Sequence, residues 1–165
     1  MKRRDLIVML GSLPLLNLFS SRVFAREQVQ PGAVEQLLLS DDEWHKRLPP
    51  EQFNILRREA TEPAGSSPLN HELQKGIYHC IACDHPLFSS ESKYDSGTGW
   101  PSFFEHLPNA FETRLDFRLI LPRTEYHCAR CGGHHGHLFH DGPQPTGLRY
   151  CSNGAVLKFV PAEMS

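Results

Sequence analysis

Two Cys-x-x-Cys turns, Cys80/Cys83 and Cys128/Cys131, lie far apart in this chain. Brought together, they supply the four thiolates of a closed tetrahedral zinc site, with Zn–S bonds of about 2.3 Å. Each turn follows a Tyr-His pair, Tyr78-His79 and Tyr126-His127, so each is expected where a strand ends. In the second, Cys131 is followed by Gly132-Gly133, which lets the backbone bend around the sulfurs. A structural zinc clamp of this kind, one ion per chain, ties distant segments together and leaves no open position for chemistry. The competing reading is that the pairs are redox disulfides, a common use of Cys-x-x-Cys. Metal content separates the two.

The chain has five cysteines, so Cys151 is left over. It sits in Arg149-Tyr150-Cys151-Ser152-Asn153. If Leu148 to Val160 is one extended segment, Arg149, Cys151 and Asn153 share a face. A guanidinium beside the thiol then favours thiolate and makes Cys151 a nucleophile; the alternative is an inert buried cysteine. Upstream, His134, His135, His137 and His140 fall within seven positions. His134 and His137 read as acid–base groups beside the thiol, with His135 and His140 as solvated loop residues; a second metal site is the alternative. Trp100, presented by Gly97-Thr98-Gly99, reads either as an aromatic wall suited to a thioether or as plain core.

The 165 residues suffice for one domain with an appendage. A hydrophobic share of 39%, a charged share of 22% and a net charge of -2 describe a globular protein with no pull toward nucleic acid. Lys2-Arg3-Arg4, an interrupted apolar run from Leu6 to Phe19, and Val23-Phe24-Ala25 have the layout of an export signal cleaved after Ala25, with an uncleaved anchor as the alternative. The paired arginines resemble a twin-arginine signal; the general secretory route is the alternative. The expected organisation is a signal over 1–25, a linker over 26–39 and a domain over 40–165. The mature protein would be periplasmic or in the cell envelope, with no stable membrane association. Ser40 and Glu43 predict a capping box at the start of a short helix. Pro50 opens a second helix, to about Arg58, with Phe53, Ile55 and Leu56 buried. From Gly76 onward short strands are expected at 77–79, 86–88, 111–120, 125–127, 137–139 and 155–160.

Several motifs together resemble the B-type methionine sulfoxide reductases, which act on the R epimer. They are Tyr78-x-Cys80-x-x-Cys83, Gly97-Thr98-Gly99-Trp100-Pro101-Ser102-Phe103, Cys128-x-x-Cys131-Gly132-x-His134-x-Gly136-His137-x-Phe139-x-Asp141-Gly142-Pro143, and Arg149-Tyr150-Cys151-x-Asn153. The resemblance runs from about Ser40 to Pro161. It implies a mainly β fold: two small antiparallel sheets in a barrel-like core, with short N-terminal helices outside. It implies Cys151 as the nucleophile, His134 and His137 nearest the sulfoxide oxygen, and Trp100, Asp141, Arg149 and Asn153 lining the substrate site. Cys80, Cys83, Cys128 and Cys131 match the family's zinc ligands. The implied substrate is oxidised methionine in proteins. Thr98 stands where many members carry a resolving cysteine. The remaining thiols are assigned to zinc, so an external reductant, a thioredoxin-like protein or a small thiol, would regenerate Cys151. Two other classes compete: a zinc-ribbon-like binding module, which has no use for Cys151, and a disulfide oxidoreductase, which needs its Cys-x-x-Cys pairs metal-free.

Overall fold

A computed structural model describes residues 34–117 and 121–162. The expected export signal lies outside the described residues, as do most of the expected linker and positions 118–120 of the strand expected at 111–120.

Helix α1 (Asp41–Arg47) begins as its sequence predicts. The Ser40 hydroxyl accepts from the Glu43 amide, and the Glu43 carboxylate accepts from the Ser40 amide at 2.8 Å. Helix α2 (Pro50–Arg58) buries Phe53, Ile55 and Leu56. Proline at its first position costs nothing there, because that N–H has no helical partner. Leu56 packs on Gly133, where a Cβ would come within 2.7 Å of its side chain. Arg57 donates to the Cys131 carbonyl at 2.9 Å. The helices thus anchor beside the second cysteine turn.

Among the described residues nine strands follow: β1 (Gly76–Cys80), β2 (Pro86–Ser89), β3 (Lys93–Tyr94), β4 (Ser102–Phe103), β5 (Phe111–Asp116), β6 (Arg123–Cys128), β7 (His134–Phe139), β8 (Arg149–Ser152) and β9 (Leu157–Pro161). All described pairings are antiparallel. They form a three-stranded sheet, β2-β1-β9, and a six-stranded sheet, β3-β4-β8-β7-β6-β5. The two sheets meet across an aromatic core. Phe88 stacks on Phe103 at 4.0 Å, and Tyr78, Phe111, Tyr126 and Tyr150 pack around them edge-on or tilted. Burying each such ring contributes roughly 2–3 kcal/mol before entropy is charged against it.

Two expectations are corrected here. The core is not barrel-like, because neither sheet closes. A barrel needs its first and last strands to hydrogen-bond, whereas β3 and β5 are opposite edges of one sheet and β2 and β9 of the other. Nor is Leu148 to Val160 one extended segment. The chain leaves the large sheet after Ser152, makes a 3-10 turn at Gly154–Val156, and enters the small sheet as β9. A period-two reading cannot see a strand change sheets.

Candidate active site

Cys80 ends β1 in the small sheet and Cys128 ends β6 in the large one, so the two turns join the layers. The turns are built alike. The Cys80 carbonyl accepts from the Asp84 amide and the Cys128 carbonyl from the Gly132 amide, both at 2.8 Å. The Cys80 amide donates to the His85 carbonyl and the Cys128 amide to the Gly133 carbonyl, both at 2.9 Å. Each turn needs a left-handed residue. Gly132 (φ 66°) supplies one freely; Asp84 (φ 59°) is among the few non-glycine types that tolerate it.

The Cys80 and Cys131 sulfurs are 3.7 Å apart, those of Cys83 and Cys128 3.6 Å, and all four lie within 4.8 Å of one another. A tetrahedron with bonds of about 2.3 Å has edges of about 3.8 Å, so the spacing fits a four-thiolate metal site. All four residues are buried. Hydrogen bonding among the sulfurs pushes Cys80 and Cys131 up and Cys83 and Cys128 down, as expected of thiols crowded together without a cation. A divalent cation would equalise them. His135 is wholly buried with Nε2 3.4 Å from the Cys80 sulfur, placed to donate to it. This corrects its reading as a solvated loop residue: β7 begins at His134, so His135 points inward instead of lying in a loop. Burial pushes its imidazole down to about 4.

Cys151 lies on β8, with Ser102 of β4 opposite on one side and His137 of β7 on the other. Directly opposed antiparallel residues hold their Cβ atoms about 4.5–5.5 Å apart. That pairing depends on Gly136, where a Cβ would sit 1.8 Å from the Cys151 carbonyl oxygen. The two residues face a cleft of about 140 Å³ lined also by Thr61, Trp100, Arg123, Phe139 and Asn153. Trp100 is fixed there because its indole N–H donates to the Glu62 carbonyl at 3.1 Å. The Glu62 carboxylate in turn accepts from the amides of Gly154 and Ala155 at 2.6 and 2.8 Å. Asn153 accepts from the Glu62 amide at 2.9 Å and donates its side-chain amide to the His135 carbonyl at 3.0 Å. Its amide is therefore occupied in shaping the cleft floor.

Two histidine–carboxylate pairs run side by side across β5, β6 and β7. His137 Nε2 donates to Asp116 at 2.8 Å, and Arg123 donates to the same oxygen at 2.8 Å. His134 Nδ1 donates to Glu125 at 2.7 Å, and Arg114 donates to Glu125 from the other side. Burial lowers His137 against the pull of Asp116, so its imidazole is neutral near pH 7. Its proton is then on Nε2, and Nδ1 carries the free lone pair. Burial alone would raise Glu125, but the bonds from His134 and Arg114 hold it at about 2.

The structure brings Cys151, His137, Trp100 and Asn153 to one cleft. His134 lies behind His137, 2% exposed, with ring centroids 5.4 Å apart. Asp141 and Arg149 bind each other through two bonds of 2.8 and 2.9 Å instead of lining the cleft, and the guanidinium covers Phe139 at 4.3 Å. The expected lowering of the Cys151 pKa is reversed. Burial raises it, outweighing Arg149 and the hydroxyl of Thr98. Sequence reasoning missed Asp116, Arg123, Phe139 and Glu62. Phe139 stood within a quoted motif. Glu62 had no local signal, since everything it binds is remote in sequence.

With four sulfurs enclosed and one facing a histidine in an aromatic-walled cleft, the arrangement defines a single-thiol enzyme. The family model described as the SelR domain matches residues 48–161. Among curated proteins, the chain is 50% identical over 126 residues to "Peptide methionine sulfoxide reductase B1, chloroplastic" of Arabidopsis thaliana, covering 76% of this chain and 62% of that one. It is 50% identical over 123 residues to "Peptide methionine sulfoxide reductase MsrB" of Agrobacterium fabrum, covering 74% and 91%. A Pseudomonas fluorescens protein of the same name is 47% identical over 131 residues, covering 79% and 100%. The chain thus spans about three fifths of the plant relative and nine tenths or more of the bacterial ones. It belongs to the SelR domain family, that of the B-type peptide methionine sulfoxide reductases.

Proposed function

We propose that this chain reduces methionine (R)-sulfoxide in proteins to methionine, with Cys151 as the nucleophile. The observation that carries the reading is Cys151 facing His137 across β7–β8 while the other four thiols are locked together. His137 Nδ1 accepts the Cys151 proton, aided by Asp116, which fixes the tautomer. The thiolate attacks the sulfoxide sulfur, and the same proton returns to the oxygen, which would otherwise leave as a strongly basic oxide. The protonated oxygen then passes from the methionine sulfur to Cys151 as the S–S bond formed in the attack breaks, leaving methionine and a Cys151 sulfenic acid; methionine sulfur gains two electrons and Cys151 loses two. An external thiol then attacks the sulfenic sulfur and expels water, and a second thiol releases Cys151 from the mixed disulfide. Trp100 and Phe139 wall the space that receives the sulfoxide methyl. Asp141 and Arg149 brace that wall, and Asn153 holds its floor.

The ion suited to the four thiolates is zinc, one per chain, held by Cys80, Cys83, Cys128 and Cys131. It joins the sheets and stays outside the reaction. The setting we infer is the periplasm or cell envelope, supported by the basic, apolar and small-residue pattern over 1–25, with 26–39 as linker and 40–165 as the reductase domain. Among the described residues no helix is long and apolar enough to cross a membrane. N-terminal sequencing of the exported protein should begin at Arg26.

The test is thiol-dependent reduction of the R and S sulfoxides assayed separately. Reduction of the R epimer alone, abolished by Cys151→Ser, supports the reading. Reduction that survives this substitution rejects it.

A further inference from the structure

Four thiolates outweigh one divalent ion, so the filled cysteine cluster is anionic and calls for donors around it. Two guanidiniums serve its outer side. Arg57 donates to the Cys131 carbonyl at 2.9 Å and Arg130 to the Cys83 carbonyl at 2.7 Å, so both act through the backbone. The inner side is served differently. Cys80 is wholly buried, out of reach of water, and His135 Nε2 lies 3.4 Å from its sulfur. Here a side chain meets a ligand atom itself.

A metal-bound thiolate carries no proton, so this bond can run only from His135 Nε2–H to the sulfur. A neutral imidazole has one N–H, which leaves Nδ1 bare, and Nδ1 is buried with no partner among the described residues. An apolar side chain would fill the same space without an unpaired polar atom. What the imidazole adds is the bond from Nε2. The ring is also aimed before any metal arrives. Phe111 packs against it with centroids 5.6 Å apart and planes at 63°. The His135 carbonyl accepts from the backbone amide and the side-chain amide of Asn153, at 2.8 and 3.0 Å. Held from both ends, the donor has little left to reorganise.

We infer that His135 is a positioning residue of the metal site, whose Nε2–H hydrogen-bonds the Cys80 thiolate and slows loss of the ion. A bond to a charged acceptor is stronger than one between neutral groups, and more so where water is excluded. The ion leaves only as its sulfurs let go in turn. A Cys80 sulfur held in place and relieved of part of its charge rebinds the ion more readily than it takes up a proton and turns away. No covalent or electron-transfer step is involved, and the inference needs only the metal site, not the reductase reading.

The test follows transfer of zinc from the holoprotein to an excess of a coloured chelator at fixed pH, by absorbance. His135→Phe should release zinc about tenfold faster than the parent, the scale on which a lost outer donor weakens a metal site. His135→Gln, whose side-chain amide can still donate to Cys80, should stay within about threefold of the parent. Release from His135→Phe at the parent's rate overturns the inference, as does release from His135→Gln as fast as from His135→Phe. Substituting cobalt(II) for zinc gives a readout that packing alone does not move. A hydrogen bond lowers the energy of the sulfur's donor electrons, so the thiolate-to-cobalt charge-transfer band should lie at higher energy in the parent than in His135→Phe. Coincident bands overturn the bond. If His135→Phe does not fold, nitrogen-15 NMR of the zinc-loaded parent decides: a proton on His135 Nε2 supports the inference, and a bare Nε2 overturns it. None of these measurements uses a sulfoxide, so failure of the reductase reading shows separately, as reduction that survives Cys151→Ser.

Discussion

The four-cysteine cluster and the Cys151 cleft hold the same side chain in opposite circumstances. In the cluster, four sulfurs lie within 4.8 Å of one another, buried, where two strands from different sheets end. In the cleft, one half-buried sulfur sits mid-strand in the large sheet, opposite a serine and a histidine. The difference shows what sets the fate of a thiol. Neighbouring sulfurs at metal-ligand spacing leave no space for substrate, whereas a single sulfur opposite a histidine has both space and a proton acceptor.

The sharpest way to break that contrast is Cys151→Ser. We expect loss of R-sulfoxide reduction by at least about 10³-fold, with metal content and melting temperature unchanged. Cys128→Ser should do the reverse. Metal content should drop and the fold should lose several kcal/mol, since the two layers are no longer joined; thermal unfolding with metal analysis checks this. The parent treated with a strong chelator should follow it.

The two histidine pairs offer a finer test. His137→Gln should lower the rate about 10²-fold, the range of a lost acid–base group. His134→Gln should cost less activity, because that ring lies behind the cleft and not in its lining. Steady-state kinetics on both variants checks the order, and a larger loss from His134→Gln would move the proton-transfer role to that residue. Glu125→Gln should destabilise the fold by about 2 kcal/mol at pH 6. The sign follows from its depressed carboxyl: the stabilisation is fully present above the unfolded value near 4.3 and is lost as pH falls toward about 2. The difference in denaturant midpoint between parent and variant should therefore shrink across that window. The smallest effect concerns the Cys151 thiol itself. Because burial raises it, its alkylation in the parent should keep increasing at pH values where an exposed cysteine has already levelled off.

Local signals carried much of the molecule. The Ser40–Glu43 box, proline at position 50 and the short Gly/Pro-bounded strands are decided within a few residues of themselves, and they folded accordingly. The two-residue strands at 93–94 and 102–103 were not legible, because nothing in two residues distinguishes a sheet edge from a loop. Likewise the site divided. Cys151, His137 and Trp100 were named from motif spacing and meet in the cleft, while Asp116 and Glu62 act on His137 and Trp100 through contacts that no window of sequence contains.

What the amino-acid sequence settled by itself is the chemical inventory: four cysteines in two matched turns, one cysteine outside them, and the histidines and tryptophan available to serve it. What the tertiary structure decided is how that inventory is deployed. Strand register sets His137 and not His134 opposite Cys151, open sheet edges replace a closed barrel, and burial raises a thiol that its arginine neighbour alone would lower. The physical reason is that register and desolvation depend on every layer packed around a residue, whereas a motif records only its neighbours along the chain.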